Sequence, residues 1–279
     1  MTVRNLEDGD IDIFVALANA AGWSYEAADA ERLLRLFPGG FFASEEDGVP
    51  KGFATAMAFG ATGIIGNVVV DSRHRRVGVG RALTNACIQH LKGAGATDIR
   101  LYSYEGVVPF YERLGFHKGD AFVTMSGKAG ITCRGHGIVN VDDKLAKEIH
   151  SLDARLFRAD RTRMLKSLRG EFPELALASV DGDAVEGYLY ARGSERTGYE
   201  AGPWASKGGQ GLVLMDALLG KVEAGSEVWV SIPEANRTAC SAVGRLGFRP
   251  LFKTMEMAYG SKPVPLDERM LALCGLEKG

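Results

Sequence analysis

From Ile64 to Val70 the chain carries a run dominated by β-branched residues, which predicts a buried strand. Soon after, Ala82, Leu83, Ala86, Cys87 and Leu91 recur at helical spacing and predict a helix over about 79–92. The same reading, taken from the start, predicts amphipathic helices over 10–21 and 25–37, the second with Glu26 and Asp29 in its first turn, where the helix dipole favours acids. Pro38-Gly39-Gly40 stops it. Three strands follow, 41–44, 52–59 and 64–70, joined by short glycine-containing turns such as Glu45-Glu46-Asp47-Gly48, an antiparallel meander. Beyond the 79–92 helix the pattern gives a strand at 99–102, a helix at 107–114 and a strand at 121–126.

After Gly127-Lys128-Ala129-Gly130 the order begins again. Helices are expected at 142–157 and 162–168, strands at 174–180, 184–192 (joined through Asp181-Gly182-Asp183) and 198–204, then a helix at 211–222, a strand at 227–232 and a helix at 236–246. Arg113-Leu114-Gly115-Phe116 returns as Arg245-Leu246-Gly247-Phe248, 132 positions later. Each copy follows a helix and precedes a strand carrying Thr-Met. A long-period duplication is expected, with domains at 1–128 and 129–261 and a tail at 262–279.

Length supports this division, because 279 residues suit two domains of ordinary size. A chain that is 46% hydrophobic and 24% charged has ample core for a globular protein. The net charge of −2 gives no general attraction to nucleic acid or anionic membranes. No long apolar run stands near the N-terminus or elsewhere, so no membrane span and a cytoplasmic setting are expected. The cysteines, Cys87, Cys133, Cys240 and Cys274, are scattered without metal-ligand or C-x-x-C spacing, and are expected as reduced packing residues. The five histidines are dispersed, and no metal is expected.

Positive charge is concentrated in one place: Arg73, His74, Arg75, Arg76 and Arg81 crowd the junction of the 64–70 strand with the next helix. The first N–H groups of a helix lack internal partners and carry positive potential, so this junction is suited to a small polyanion. Gly78 and Gly80 would let it approach the backbone, having no Cβ to obstruct it.

Arg75-x-x-Gly78-x-Gly80 resembles the R/Q-x-x-G-x-G/A signature of the GNAT superfamily of acetyl-CoA-dependent N-acetyltransferases, and Pro109-Phe110-Tyr111-Glu112-Arg113-Leu114-Gly115-Phe116 resembles that family's LYxxxGF helix end. The two stand in the family's order, about 30 residues apart, the length of a strand-helix-strand unit. The resemblance implies an α/β (α+β) fold class: two tandem GNAT acyl-CoA N-acyltransferase folds, each a mixed, mostly antiparallel central sheet flanked by helices. It also implies acetyl-CoA as co-substrate, with its pyrophosphate on Arg75, Arg76, Val77, Gly78, Val79, Gly80 and Arg81. Its pantetheine arm would lie along the main chain of Val68, Val69 and Val70. Tyr104 is a further cofactor-binding candidate. Tyr111 becomes the candidate general acid for the leaving thiolate, a role that suits a phenol protonated at neutral pH, with Tyr102 and Tyr104 as fallback candidates; the alternative is a tyrosine half-buried at a helix end.

The general base is open. Asn67 could orient a relaying water, Asp71 could act directly or be a loop acid, and an amine arriving deprotonated needs neither. Trp23 and Tyr25, in the loop between the first two helices, are expected as exposed acceptor-site aromatics with cation–π capacity, the alternative being that Trp23 packs against the core between the helices. The second copy departs from the motifs. Val243 stands at the tyrosine position and Ser206 at that of Arg75, while Gly209 and Gly211 match the two glycines and Pro203 is expected to interrupt the preceding strand. Asn236 fills the family's asparagine position, where the first copy has Tyr104. The second domain therefore reads as a degenerate copy that supports the first. The expected activity is acetyl transfer from acetyl-CoA to a primary amine of a small molecule, by direct attack in a ternary complex. The alternatives are a non-catalytic acyl-CoA-binding module or an enzyme acting on a protein amine. A monomer is favoured over a homodimer, since a tandem pair supplies internally the contact that single domains make by dimerising.

Overall fold

The computed structural model of the chain describes residues 1–130, 137–182, 184–194 and 197–279. Cys133 and Asp183, both used in the sequence reading, lie outside the described residues. Contacts divide the chain into two compact units: Met1–Leu101 with Arg113–Gly115 and Lys278, and Tyr102–Glu112 with Phe116–Glu277 and Gly279.

The first unit contains β1 (Thr2–Asn5), α1 (Ile11–Ala20), α2 (Ala27–Leu36), β2 (Phe41–Glu46), β3 (Val49–Phe59), β4 (Thr62–Val70) and α3 (Val79–Gly93), and most of β5 (Asp98–Tyr104). The sheet order is β1-β2-β3-β4-β5, antiparallel except for the parallel pair β4/β5. The β2–β3 hairpin closes through Asp47 (φ 52°) and Gly48 (φ 73°), the two left-handed residues that a two-residue type I′ turn requires. Glu26 caps α2 in a reciprocal box with Asp29, so the acidic first turn read from sequence also satisfies free backbone donors. The core forms where Phe14 of α1 meets Tyr25, Phe41 and Phe53 edge-to-face, with centroids 5.2, 4.9 and 5.7 Å apart. Leu83, Cys87 and Leu91 of α3 form the opposite apolar stripe, and burial pushes the Cys87 thiol well above its ordinary pKa, so it packs as an inert side chain.

The second unit contains α4 (Val108–Glu112), β6 (Phe116–Lys128), β7 (Ile138–Asn140), α5 (Asp143–Phe157), α6 (Thr162–Glu171), β8 (Ala176–Asp181), β9 (Ala184–Ser194), β10 (Gly198–Ser206), α7 (Gln210–Leu219), β11 (Glu227–Pro233), α8 (Arg237–Arg245), β12 (Arg249–Tyr259) and β13 (Met270–Ala272). Its strands run in the order β12-β6-β11-β10-β9-β8-β7, with β13 attached to β10. Both units are thus mixed, mostly antiparallel sheets flanked by helices, the architecture expected from the sequence.

Several local expectations change. β6 starts at Phe116 and not near 121, because His117 and Lys118 pair with Ala258 and Met257 of β12 despite their polarity. Pro203 does not interrupt β10. It sits with Gly202 in a bulge, where the β9 partner steps from Ala191 to Leu189, so no ladder position has to be filled by a proline nitrogen. The 262–279 stretch, expected as a tail, contains the buried strand β13. Asn236 works as the N-cap of α8, its Oδ1 accepting from the Ala239 N–H at 3.0 Å.

Candidate active site

β4 and β5 pair over Thr62–Ile64 and Asp98–Arg100, and β4 then runs on to Val70 beyond the last of these partners. At the same point β4 bulges against β3: Gly66 faces Thr55 and Val69 faces Phe53, leaving Asn67 and Val68 between them. Asn67 takes the left-handed conformation, φ 52°. Its buried side chain is fixed by two partners, accepting from the Tyr25 hydroxyl at 2.7 Å and donating to Thr55 Oγ1 at 3.2 Å. Tyr25 is held in turn by Asn19, whose side chain bonds both its N–H (2.8 Å) and its C=O (3.0 Å).

Tyr25 is therefore a buried residue rather than the exposed aromatic expected from its loop, at 7% exposure, with its ring on Phe14 and its hydroxyl on the bulge. Trp23 is half-buried, its ring centroid 6.5 Å from that of Tyr25. Removing the Tyr25 hydroxyl leaves a buried amide oxygen short of a donor. We predict that Tyr25→Phe costs about 1–3 kcal/mol in equilibrium unfolding and shows coupling to Asn67→Ala in a double-mutant cycle. Additive losses would show that the hydrogen bond contributes nothing.

Past Val70 the chain turns through Asp71 into α3. The Asp71 carboxylate accepts from the Arg73 backbone N–H at 3.0 Å and from its guanidinium at 2.8 and 3.2 Å. These bonds hold its pKa well below the ordinary carboxylate range. Asp71 thus stays ionised as the brace of this turn, a poor proton acceptor at neutral pH. Arg75 Nε donates to the Val70 carbonyl at 3.2 Å, which secures the end of β4 to the loop. Arg76 and Gly78 are both left-handed, φ 65° and 100°, and together they aim the loop backbone into α3. Gly78 is the N-cap of α3 with no side chain capping the helix. A Cβ built on it would meet only Arg81 Nη2, at 3.9 Å. Open space therefore faces the first turn of α3, bordered by the exposed Arg75, Arg76 and Arg81 and the 68% exposed Val77. Such a helix start suits phosphate oxygens. Val69 is buried, while Val68 and Val70 are half-buried. Val79 is buried and Gly80 half-buried, its carbonyl accepting from Thr84 Oγ1 at 2.8 Å.

The first unit thus brings Trp23, Tyr25 and Asn67 together, and joins Val70 to Arg75. Tyr104 and Tyr111 belong to the second unit. Tyr111 is 7% exposed, its ring between Phe110 (4.9 Å) and Phe116 (5.8 Å). Tyr104 is 42% exposed and its ring tilts onto Phe252 at 5.2 Å. Thr55 and Asn19 were not identified from sequence, where neither carries a signal. Among the described residues no cluster of three or more His, Cys, Asp or Glu could hold a metal ion, and no helix is long and apolar enough to cross a membrane.

The loop of the second unit differs in geometry as well as in residues. Gly209, which caps α7, is in the right-handed region (φ −76°), and Lys207 is paired to Glu186 at 3.1 Å. A Cβ on Gly211 would lie 2.6 Å from Leu271 Cδ1, so a larger residue there would displace the end of that side chain.

Residues 11–116 match the model of the acetyltransferase (GNAT) family, and residues 149–272 match that of an acetyltransferase (GNAT) domain. The chain is 43% identical over 89 residues to a mycothiol acetyltransferase of Thermobispora bispora, covering 28% of this chain and 30% of that one. It is 27% identical over 195 residues to the uncharacterized N-acetyltransferase YitH of Bacillus subtilis, covering 66% of this chain and 65% of that relative. The matched part thus spans less than two thirds of either relative. In fold it is similar to a crystal structure of a proposed acetyltransferase from Pyrococcus horikoshii, with a TM-score of 0.80 and 19% identity over 100% of this chain and 95% of that one. The chain belongs to the GNAT acetyltransferase family, with two GNAT domains in tandem.

Proposed function

We propose that this protein is an N-acetyltransferase that moves the acetyl group of acetyl-CoA to a primary amine of a small molecule, with the cofactor held by the first unit. The observation that carries this reading is the uncapped first turn of α3, entered through left-handed Gly78, ringed by arginines and placed at the end of a strand that has parted from its neighbour. These residues fit the co-substrate: the free N–H groups of α3 and Arg75, Arg76 and Arg81 suit a pyrophosphate. The main chain of Val68–Val70 has the donors and acceptors to bind an amide-bearing arm in the manner of an added strand.

In the transfer itself the amine nitrogen bonds to the thioester carbonyl carbon, the carbon–sulfur bond breaks, and the sulfur leaves with the electron pair. Tyr111 is assigned the proton that converts the departing thiolate to a thiol. The proton lost by the attacking nitrogen goes to water or to an amine partner, since neither Asn67, an amide, nor the ion-paired Asp71 is suited to take it. Asn67 is assigned to positioning, its amide held by Tyr25 and Thr55 at the bulge. Positioning accounts for most of the acceleration, because aminolysis of a thioester is already downhill. The reaction is assigned to a single chain acting as a monomer.

Thiol release from acetyl-CoA across a panel of small amines tests the assignment. Amine-dependent release with an acetylated product is expected; binding without turnover on any amine, peptides included, would reduce the protein to a cofactor-binding module. At the loop, Gly78→Val forces a β-branched residue into φ 100° and fills the space in front of α3. We expect at least a tenfold weaker acetyl-CoA Kd by calorimetry with the fold retained. An unchanged Kd in the folded variant would move the pyrophosphate elsewhere.

A further inference from the structure

The second unit repeats the parted strands of the first, and its own chain fills the gap. β10 pairs in parallel with β11 through Tyr199, Glu200 and Ala201 against Val228, Trp229 and Val230. It then bulges at Gly202 and Pro203, where its partner on β9 steps from Ala191 to Leu189. In β4 the parallel pairing likewise ends, and the bulge at Asn67 and Val68 follows. Beyond its bulge β10 continues as Trp204-Ala205-Ser206, the counterpart of the end of β4, where the first unit is assigned its cofactor arm.

In the second unit that edge of β10 is taken. β13 pairs antiparallel with it, Trp204 facing Ala272 and Ala205 facing Met270, and the Ser206 N–H donates to the Arg269 carbonyl at 3.0 Å. On its other side the segment reaches β11, the Leu273 N–H donating to the Ser231 carbonyl at 3.2 Å. The segment is thus a strand wedged between β10 and β11 with hydrogen bonds to both. Met270, Ala272, Leu273 and Cys274 are at most 2% exposed. The fit is close enough to dictate a residue beside it: a Cβ on Gly202 would lie 1.7 Å from the Leu273 carbonyl oxygen.

We propose that Met270–Cys274 is the resident occupant of the second unit's cofactor wedge, lying where the pantetheine arm of an acyl-CoA would otherwise add to the strand edge, and that this occupancy closes the second unit to cofactor. The proposal rests on the assignment of the arm to β4 in the first unit. It goes beyond the loss of the arginine and tyrosine in the second copy, because it makes closure a property of the fold and therefore reversible. When vacated, the wedge would take the same chemical class, an extended amide-bearing thiol arm, with weaker anchoring at Lys207 in place of the arginine cluster.

The test uses the full chain with a protease site inserted between Ser261 and Lys262 in the exposed loop before β13, cut after folding. The intact chain is expected to bind one equivalent of acetyl-CoA in calorimetry, with amide hydrogen exchange slowed at 79–81 and unchanged at 272–274. After cutting, acetyl-CoA at high concentration is expected to displace the 262–279 peptide, seen by gel filtration, and to bind as a second, at least tenfold weaker equivalent. A cut, folded chain that has lost the peptide and still binds one equivalent would overturn the proposal, as would two equivalents bound by the intact chain. Should cutting unfold the unit, Leu271→Ala with Leu273→Ala loosens the strand while the chain stays continuous: faster exchange at 272–274 with a second, weaker equivalent of acetyl-CoA is expected, and a folded variant whose 272–274 amides exchange freely yet binds only one equivalent would overturn the proposal. No binding by any form would instead reject the cofactor assignment of the first unit, and this proposal with it.

Discussion

Tyr111→Phe is expected to lower the turnover number by about 100-fold while leaving the acetyl-CoA affinity nearly unaltered. The ring lies 4.9 Å from Phe110 and 5.8 Å from Phe116 by centroid, and phenylalanine keeps both contacts, so packing is preserved and only the hydroxyl is lost. A group that donates its proton as the thiolate departs acts in the transition state, which is why the loss should fall on turnover and not on ground-state binding. Tyr104→Phe and Tyr102→Phe are the controls. Tyr104 is half open to solvent and Tyr102 sits on the Phe122 ring at 5.0 Å, and neither is assigned the proton. The measurement is steady-state and single-turnover thiol release with one amine. If Tyr111→Phe retains full single-turnover rate, or if Tyr102→Phe shows the larger loss, the acid is not Tyr111.

What could be read from the sequence follows a physical line. The loop before α3 was legible as an uncapped helix start because its determinants are local. An arginine cluster, two glycines and a helix start within a few residues are sufficient to describe an uncapped dipole, and the structure adds only the left-handed turn at Arg76 and Gly78. The duplication was legible because each copy repeats its order of periods. The Tyr25–Asn67 bond was not, since it joins positions 42 residues apart and nothing in Asn67 marks it as a bulge residue in left-handed conformation. Reading Tyr25 as an exposed aromatic failed for the same reason: its polar end finds a buried partner from a distant strand. Pro203 misled because the rule against proline in strands concerns ladder positions, and a bulge supplies a position outside the ladder. β13 escaped notice because three residues of strand behind a polar loop carry no periodicity. Its identity as a strand comes from the unfilled edge of β10, a feature of tertiary structure alone.

Asp153→Ala is expected to destabilise the second unit by about 3–5 kcal/mol. Asp153 on α5 and Arg161 before α6 form a two-point ion pair, Arg161 Nε to Oδ2 at 3.0 Å and Nη2 to Oδ1 at 2.6 Å, with both side chains at most 1% exposed. Tyr188 of β9 donates to the same carboxylate, Arg161 Nη1 donates to the Gly279 carbonyl at 2.6 Å, and the guanidinium carbon lies 3.7 Å from the centre of the Phe157 ring. Burial alone would lower the Arg161 pKa, but the Asp153 charge and its hydrogen bonds outweigh it and the pKa is raised, so the guanidinium remains charged across any working pH. Deleting the carboxylate therefore strands a cation that cannot shed its proton and orphans the Tyr188 hydroxyl as well. The net worth of the intact cluster is a separate quantity, since desolvation offsets much of its Coulomb attraction. The triple change Asp153→Leu, Arg161→Met and Tyr188→Phe removes every charged and hydroxyl member at once and is expected to cost far less than Asp153→Ala alone. Denaturant titration followed by hydrogen exchange within α5, α6 and β9 measures both. A loss below about 1 kcal/mol for Asp153→Ala would mean that water or a neighbouring carboxylate reaches Arg161, and a triple variant as unstable as the single one would assign the cost to packing volume instead of to the stranded charge.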